Sequence, residues 1–409
     1  MKPMGPIPPG YAALDGELVI AGRKISGLIA AAGGTPLFVY DGEKVDAAIV
    51  RLRTALPPGV AVHYAMKANP HPPLVKRIAR LAGGIDVASG GELRVALEAG
   101  APATAISFAG PGKTDAELKQ AIVAGVTLNL ESLGEARRAA TIGDRLGIPP
   151  RLAVRVNPDF DLKASGMRMG GGPRPFGVDV EAVPDVLALI ETSGALFQGF
   201  HIFAGSQNLD ADAIIDAQAK SIALAARLAD DAAMPPPLVN LGGGFGIPYF
   251  AGDAALDVER IGAALSAALE ARPAILAGTR FAVELGRWIV GEAGIYLTRI
   301  VDRKTSHGET FLITDGGMHH QLAASGNFGQ VVRRNYPLAI ATRFDAAPDE
   351  QASVVGCLCT PLDRLGDQLH LPHADVGDVV AVFLAGAYGA TASPSAFLGH
   401  APAREMLVG

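Results

Sequence analysis

The sequence predicts an α/β fold, a (β/α)8 barrel joined to a second, mainly β domain. Three observations carry this reading: eight short apolar runs between residues 62 and 285, helical patterns between them, and a change to strands with few helices after Gly286. In order, the runs are VHYAMKA (62–68), GIDVAS (84–89), AISFAG (105–110), VTLNL (126–130), RLAVRVN (151–157), QGFHIFAG (198–205), PLVNLGG (237–243) and RFAVEL (280–285). The segments ELRVALEAG, DAELKQAIVAG and DVERIGAALSAALEARPAIL repeat apolar residues at three- and four-residue intervals, the spacing of an amphipathic helix. Beyond Gly286, GIYLTRIVDRK, ETFLITDGG, ASVVGCLCTP and DVVAVFLAG read as strands, as does the early GELVIAGRKI. The second domain therefore draws on both ends of the chain, residues 1–35 and 286–409, around a barrel at 36–285.

Composition narrows the function. A chain of 409 residues with 49% hydrophobic side chains can bury a large core, and a net charge of −6 without a Lys/Arg block gives no electrostatic footprint for nucleic acid. The N-terminal MKPMGPIPPG has no apolar signal core, which points to the cytoplasm. The apolar stretch after Asp378 is broken by Gly, Pro and polar residues and does not read as a membrane span. Cys357 and Cys359, the two cysteines, are too close in sequence for an unstrained disulfide, and no metal motif is read from the spacing.

Barrel enzymes place their chemistry where strands end. That rule collects Lys67, Ser89, Asn157, Ser206, the turn GGGFG (Gly242–Gly246), Glu284 and Arg287 on one face. GGGFG fits either a phosphate cradle of backbone N–H groups or a plain tight turn; it is neither a Walker motif nor a dinucleotide fingerprint. A lysine is ordinarily a solvated surface group, but Lys67 closes an apolar strand at the barrel mouth, where desolvation would lower its pKa and allow Schiff-base chemistry. Lysine, phosphate cradle and buried carboxylate together point to pyridoxal 5'-phosphate.

At these residues the chain resembles the fold-type III pyridoxal-phosphate decarboxylases, the diaminopimelate, ornithine and arginine decarboxylase family. YAMKAN, DVASGGEL, GFHIFAGSQ, NLGGGFG, ELGR, GCLCTPLD and GAYG follow in the family's order from about residue 35 to 400. The resemblance implies an alanine-racemase-like barrel, a β domain and a homodimer with shared active sites. It makes Lys67 the Schiff-base lysine and gives the phosphate to Gly242, Gly243, Gly244, Ser206 and Tyr388. Glu284 would pair with the pyridine nitrogen, keeping the ring able to accept the electron pair left by departing carbon dioxide. Arg287 would bind phosphate or a substrate carboxylate, and Asp86 would lie near the cofactor or serve as a structural cap. Cys359, with Asp363 four residues on, matches the cysteine that reaches in from the partner subunit and protonates Cα; the resemblance places Asp363 at the substrate with Thr360 and Arg287, and Cys357 reads as core.

The departures bear on substrate. Phe203 stands where the family commonly stacks a histidine on the cofactor ring, and His201 reads as a satisfied buried histidine. Thr360 follows Cys359 where relatives acting on diamino acids carry an acidic residue, so the contact to a distal ammonium is lost. No arginine matches the distal-carboxylate motif in QLAASGNFG after DGGMHH, and RPFG (174–177) replaces the usual KFG. The loop from Asp159 to Gly177 fits either a substrate gate or a solvated connection. HIFAGSQ with GCLCTPLD resembles the subgroup of exosortase and exopolysaccharide loci and of carrier-linked glutamate decarboxylation in butirosin assembly. The expectation is decarboxylation of an amino acid without a free distal ammonium, such as a glutamyl group on an acyl carrier protein. The alternatives are a diaminopimelate decarboxylase, a non-catalytic pyridoxal-phosphate binding protein, which would be a bare barrel, and a racemase, for which no tyrosine base is identified.

Overall fold

The computed structural model describes residues 2–160, the backbone of 167–168, and residues 172–326 and 334–409. Parts of the Asp159–Gly177 loop and of QLAASGNFG therefore lie outside the described residues. The chain forms two units, one of residues 46–247 and 255–288, the other of residues 1–45, 248–254 and 289–409.

In the first unit eight parallel strands close a barrel: Val60–Ala65, Gly84–Val87, Ile106–Phe108, Thr127–Leu130, Arg151–Asn157, Leu196–Ile202, Leu238–Asn240 and Arg280–Leu285. Each pairs with the next, and Arg280–Leu285 pairs with Val60–Ala65 to complete the ring. All eight expected strands are present, and each lies within or close to its apolar run. The two-sided burial of a parallel barrel explains why these runs are continuous instead of alternating; Gly84–Val87 and Ile106–Phe108 are buried throughout.

Three barrel helices start where the sequence supplies an oxygen and, three residues on, a glutamate. Ser89, Thr114 and Ser132 cap the helices Gly90–Glu98, Asp115–Ala124 and Leu133–Leu146 by accepting from the backbone N–H groups of Glu92, Glu117 and Glu135. Those glutamates also tie the strand-to-helix loops together. Glu92 accepts from Ala88 N–H at 2.7 Å, Glu117 from Gly90 N–H at 2.9 Å, and Glu135 pairs with the buried Lys113 ammonium at 2.8 Å.

In the second unit the strands Leu338–Ile340, Val379–Val382, Gly294–Ser306, Glu309–Thr314, Glu350–Val355 and Arg364–Leu371 lie in that order in one sheet. Leu37–Asp41 leads toward the barrel in sequence but pairs within this unit, antiparallel to Gly294–Ser306 and parallel to Arg404–Val408. GELVIAGRKI forms the hairpin strands Glu17–Ile20 and Arg23–Lys24. Arg364–Leu371 escapes the sequence patterns because charged and polar residues interrupt its apolar positions, and Arg404–Val408 because only three apolar residues follow its two charged ones.

One glycine sets a helix-to-helix distance in the barrel unit. A Cβ on Gly262, in the helix Val258–Glu270, would lie 1.8 Å from the carbonyl oxygen of Ala55, a clash that only backbone movement relieves. Gly262→Ala should cost about 1–3 kcal/mol and lower the thermal midpoint by about 3–10 °C. Gly278→Ala, whose Cβ meets open space, should leave the midpoint within about 1 °C in the same calorimetric scan.

Candidate active site

The site grows from the close approach of strand ends. The first strand stops at Ala65, and Lys67 sits in the following 3-10 turn Met66–Ala68. The turn is held against the end of the eighth strand, since a Cβ on Gly286 would meet Ala68 and Ala65 within 2.8 Å. The eighth strand is tied in turn to the GGGFG segment. Glu284 N–H donates to Gly242 carbonyl at 2.7 Å, and a Cβ on Gly243 would lie 1.9 Å from the Glu284 carbonyl oxygen. Gly242 and Gly244 have φ of +68° and +90°, conformations natural to glycine. Across the segment, Asn208 N–H donates to Gly244 carbonyl at 2.8 Å, and Gly246 N–H to Asn208 carbonyl at 2.8 Å. The glycines thus permit three loops to meet.

These contacts bring Lys67, His201, Phe203 and Glu284 together. Lys67 Nζ stands 3.9 Å from Glu284 Oε1 and 5.3 Å from the centre of the Phe203 ring. His201 Nε2 lies 2.8 Å from Glu284 Oε2, with both residues buried. Burial alone would raise the Glu284 pKa, yet the His201 contact, followed by the charges of Lys67 and Arg155, holds the carboxyl well below the usual carboxylate range. His201, which reads from sequence as an ordinary buried histidine, is the direct partner of the site carboxylate. The Lys67 side chain is 45% exposed, so the protein by itself does not desolvate the amine as its place after an apolar run implies. The turn lifts Lys67 out of the strand.

Asp86 belongs to a polar chain inside the barrel. It accepts from the Ser107 hydroxyl and lies 3.4 Å from His63 Nδ1, while Asn129 donates to Ser107 Oγ at 3.1 Å. Burial pushes the His63 pKa down, but Asp86 outweighs it and the net shift is upward. A small cavity of about 40 Å³ adjoins this chain, lined by His63, Ser107, Asn129 and Asn240 among others. Asp86 caps no helix; Ser89 does that work. A second interior pair, Arg155 and Glu131 at 2.8 Å, is completed by Gly110 and Gly177 N–H groups donating to Glu131. Polar residues at inward positions of otherwise apolar strands were the available signal for both networks.

Ser206 and the glycine turn follow adjacent strands, and Arg287 opens the short helix Arg287–Val290. The Ser206 hydroxyl oxygen is buried without a hydrogen-bond partner among the described residues. An orphaned buried hydroxyl beside a glycine-rich turn, an exposed amine, an aromatic ring and an ionised buried carboxylate fit pyridoxal 5'-phosphate, which presents a phosphate, an aldehyde, a flat ring and a basic nitrogen.

Cys359, Thr360, Asp363 and Tyr388 all belong to the other unit. Cys359 is exposed in a loop whose shape Asp363 fixes, its oxygens accepting from Leu358 N–H at 2.8 Å and Met318 N–H at 2.6 Å. Asp363 is 3% exposed, and burial raises its pKa despite those donors. This geometry makes Asp363 a positioning residue for the cysteine loop. Thr360 Oγ1 accepts from Leu362 N–H at 3.3 Å. Tyr388 has φ of +55°, an uncommon backbone conformation for a tyrosine. Cys357, expected as core, is only half-buried, and its sulfur lies 3.9 Å from His400 Nε2. His319 is fully buried; burial and then the imidazoles of His320 and His400 lower its pKa to about 4, leaving a neutral ring.

Comparison with known proteins gives the family. Residues 43–291 match the family described as pyridoxal-dependent decarboxylase, pyridoxal binding domain. The L-glutamyl-[BtrI acyl-carrier protein] decarboxylase of Niallia circulans is 38% identical over 91% of this chain and 88% of its own. The diaminopimelate decarboxylase of Aquifex aeolicus is 33% identical, covering 92% and 87% of the two chains. Among solved structures, diaminopimelate decarboxylase from M. jannaschii in co-complex with L-lysine superposes with a TM-score of 0.87 at 26% identity, over 98% of this chain and 93% of that one. The barrel, the cofactor-shaped site and these likenesses lead to one conclusion: the chain belongs to the pyridoxal-dependent decarboxylase family, and it is a carboxy-lyase that uses pyridoxal 5'-phosphate.

Proposed function

We propose that this enzyme decarboxylates a glutamyl group carried as a thioester on an acyl carrier protein, in the cytoplasm, as a homodimer. The observation that carries the substrate reading is Thr360, a neutral hydroxyl directly after Cys359. Family members acting on diamino acids place a carboxylate there, and a desolvated ammonium without one is strongly disfavoured. The likeness to a carrier-protein decarboxylase at 38% identity supports the same reading. Diaminopimelate remains the second reading, supported by the likeness to the Aquifex aeolicus enzyme.

In this proposal Lys67 Nζ would hold the cofactor through its aldehyde, and Phe203, 5.3 Å from that amine, would supply an aromatic wall. Ser206 and the Gly242–Gly244 backbone would hold the phosphate, with Arg287 near the phosphate or a substrate carboxylate. When bound, pyridoxal phosphate supplies an electron sink for the pair left by departing carbon dioxide. Glu284 would favour a proton at the ring nitrogen by remaining an anion, and His201 Nε2, 2.8 Å from its carboxylate, helps keep it ionised. Asp86 supports the barrel wall beside the site through Ser107 and His63. Cys359 Sγ, reaching in from the partner subunit, delivers the proton to the Cα that has lost its carboxylate. Asp363 holds the cysteine loop for that transfer. Thr360 leaves room for an uncharged side-chain terminus.

Carbon dioxide release tests the substrate reading. With cofactor-loaded protein, glutamyl carrier protein should be turned over at least about 100-fold faster, in kcat/KM, than free glutamate, lysine, ornithine or meso-diaminopimelate. Brisk release from diaminopimelate would remove the argument from Thr360. Thr360→Glu should depress the carrier reaction at least about tenfold and raise release from a free diamino acid. Lys67→Ala should abolish the borohydride-reducible lysine adduct with the cofactor; an adduct that persists would move the site to another lysine.

A further inference from the structure

Three loops of the β unit converge on a cluster that the decarboxylase reading does not use. His319 follows the strand Glu309–Thr314, Cys357 follows Glu350–Val355, and His400 precedes Arg404–Val408. One potential ligand atom from each lies within 4.8 Å of the others. Both nitrogens of the fully buried His319 ring are without hydrogen-bond partners among the described residues. A buried imidazole ordinarily satisfies at least one nitrogen, so this ring has its polar edge turned toward a missing partner. Its neighbour His320 differs: Nδ1 lies 3.1 Å from the Tyr296 hydroxyl and Nε2 2.9 Å from the Ala401 carbonyl. His320 thereby pins the segment beside His400 and leaves His319 to the cluster.

We propose that His319, Cys357 and His400 form a binding site for a divalent transition metal of the zinc class. Two imidazoles and one thiolate are a donor set suited to zinc, which takes nitrogen at about 2.0–2.1 Å and sulfur at about 2.3 Å. Tetrahedral bonds of those lengths place ligand atoms about 3.3–3.6 Å apart. Cys357 Sγ and His400 Nε2, at 3.9 Å, are close to that spacing, and the cluster needs a contraction of about an ångström to reach it throughout. The three residues leave a fourth position for water or another donor. His400 is the outermost of the three and opens an entry path for the ion. Binding releases the Cys357 thiol proton to solvent and forms a metal–sulfur bond, with no change of oxidation state. It also anchors the segment two residues ahead of Cys359, so occupancy fixes one end of the loop that carries the proton donor.

The test is equilibrium dialysis of zinc against untagged, cofactor-loaded enzyme, followed by zinc K-edge absorption of the washed protein. One zinc per chain is expected, with a sulfur scatterer at about 2.3 Å. His319→Ala and Cys357→Ser should each weaken binding at least tenfold, and Cys357→Ser should remove the sulfur shell, while Cys359→Ser leaves stoichiometry and spectrum unchanged. Circular dichroism establishes that each variant is folded. Should folding fail in one variant, the wild-type sulfur shell and its persistence in Cys359→Ser decide the matter. No retained zinc, a shell without sulfur, or a sulfur shell lost in Cys359→Ser would overturn the assignment. Because the readout is the bound ion and not turnover, it stands or falls separately from the proposed substrate.

Discussion

The pairing of Glu284 with His201 is the interaction on which the barrel site depends. A carboxylate 6% exposed inside a barrel would ordinarily take up a proton, because the charged form loses its hydration. His201 at 2.8 Å reverses that preference, with Lys67 and Arg155 adding positive charge. A depressed carboxyl pKa stabilises the folded chain above the usual carboxylate value and loses that contribution as pH falls through the depressed one. The same pairing turns a stability device into a chemical one: the anion is present before any ligand arrives, aimed into the region that Lys67 and Phe203 also border. Backbone contacts make the arrangement rigid. Gly243 lets the GGGFG segment lie against the Glu284 carbonyl, and Gly286 lets the eighth strand lie against the turn of Lys67. A side chain at either glycine would push two catalytic elements apart.

The β unit solves a different problem, since its exposed cysteine must be held by a loop without a helix or strand beneath it. A single buried carboxylate, Asp363, gathers N–H groups from Leu358 and Met318, which lie in separate loops. Asp363 accordingly links the Cys359 loop to the segment that carries His319 and His320. In the proposed function the cofactor would rest on strand ends of one unit, while the proposed proton donor and specificity residue stand in loops of the other.

Much of this was legible in the sequence because burial on both faces writes parallel strands as unbroken apolar runs. All eight barrel strands appear that way, and the motif residues Lys67, Gly242–Gly244 and Glu284 stand at their ends. Boundaries were less legible. The expected strand through Lys67 stops at Ala65, because the chain must turn there for the lysine to emerge from the barrel wall. Leu37–Asp41, buried at every position, is indistinguishable by pattern from a barrel strand and pairs in the β unit instead. The role of His201 was hidden because its partner is 83 positions away and one strand pattern cannot show which strand faces it. The cluster of His319, Cys357 and His400 was hidden for the same reason, its three members lying in loops with no common spacing.

The most direct measurement of the account is the protonation state of the cofactor's ring nitrogen, read by NMR on enzyme loaded with ring-15N pyridoxal phosphate. The wild type should show a protonated nitrogen from about pH 6 to 8, and Glu284→Gln, with cofactor still bound, should show it deprotonated and turnover reduced at least about 100-fold. A ring nitrogen unprotonated in the wild type, or unchanged in Glu284→Gln, would contradict the assignment of Glu284 as the group that sustains the electron sink.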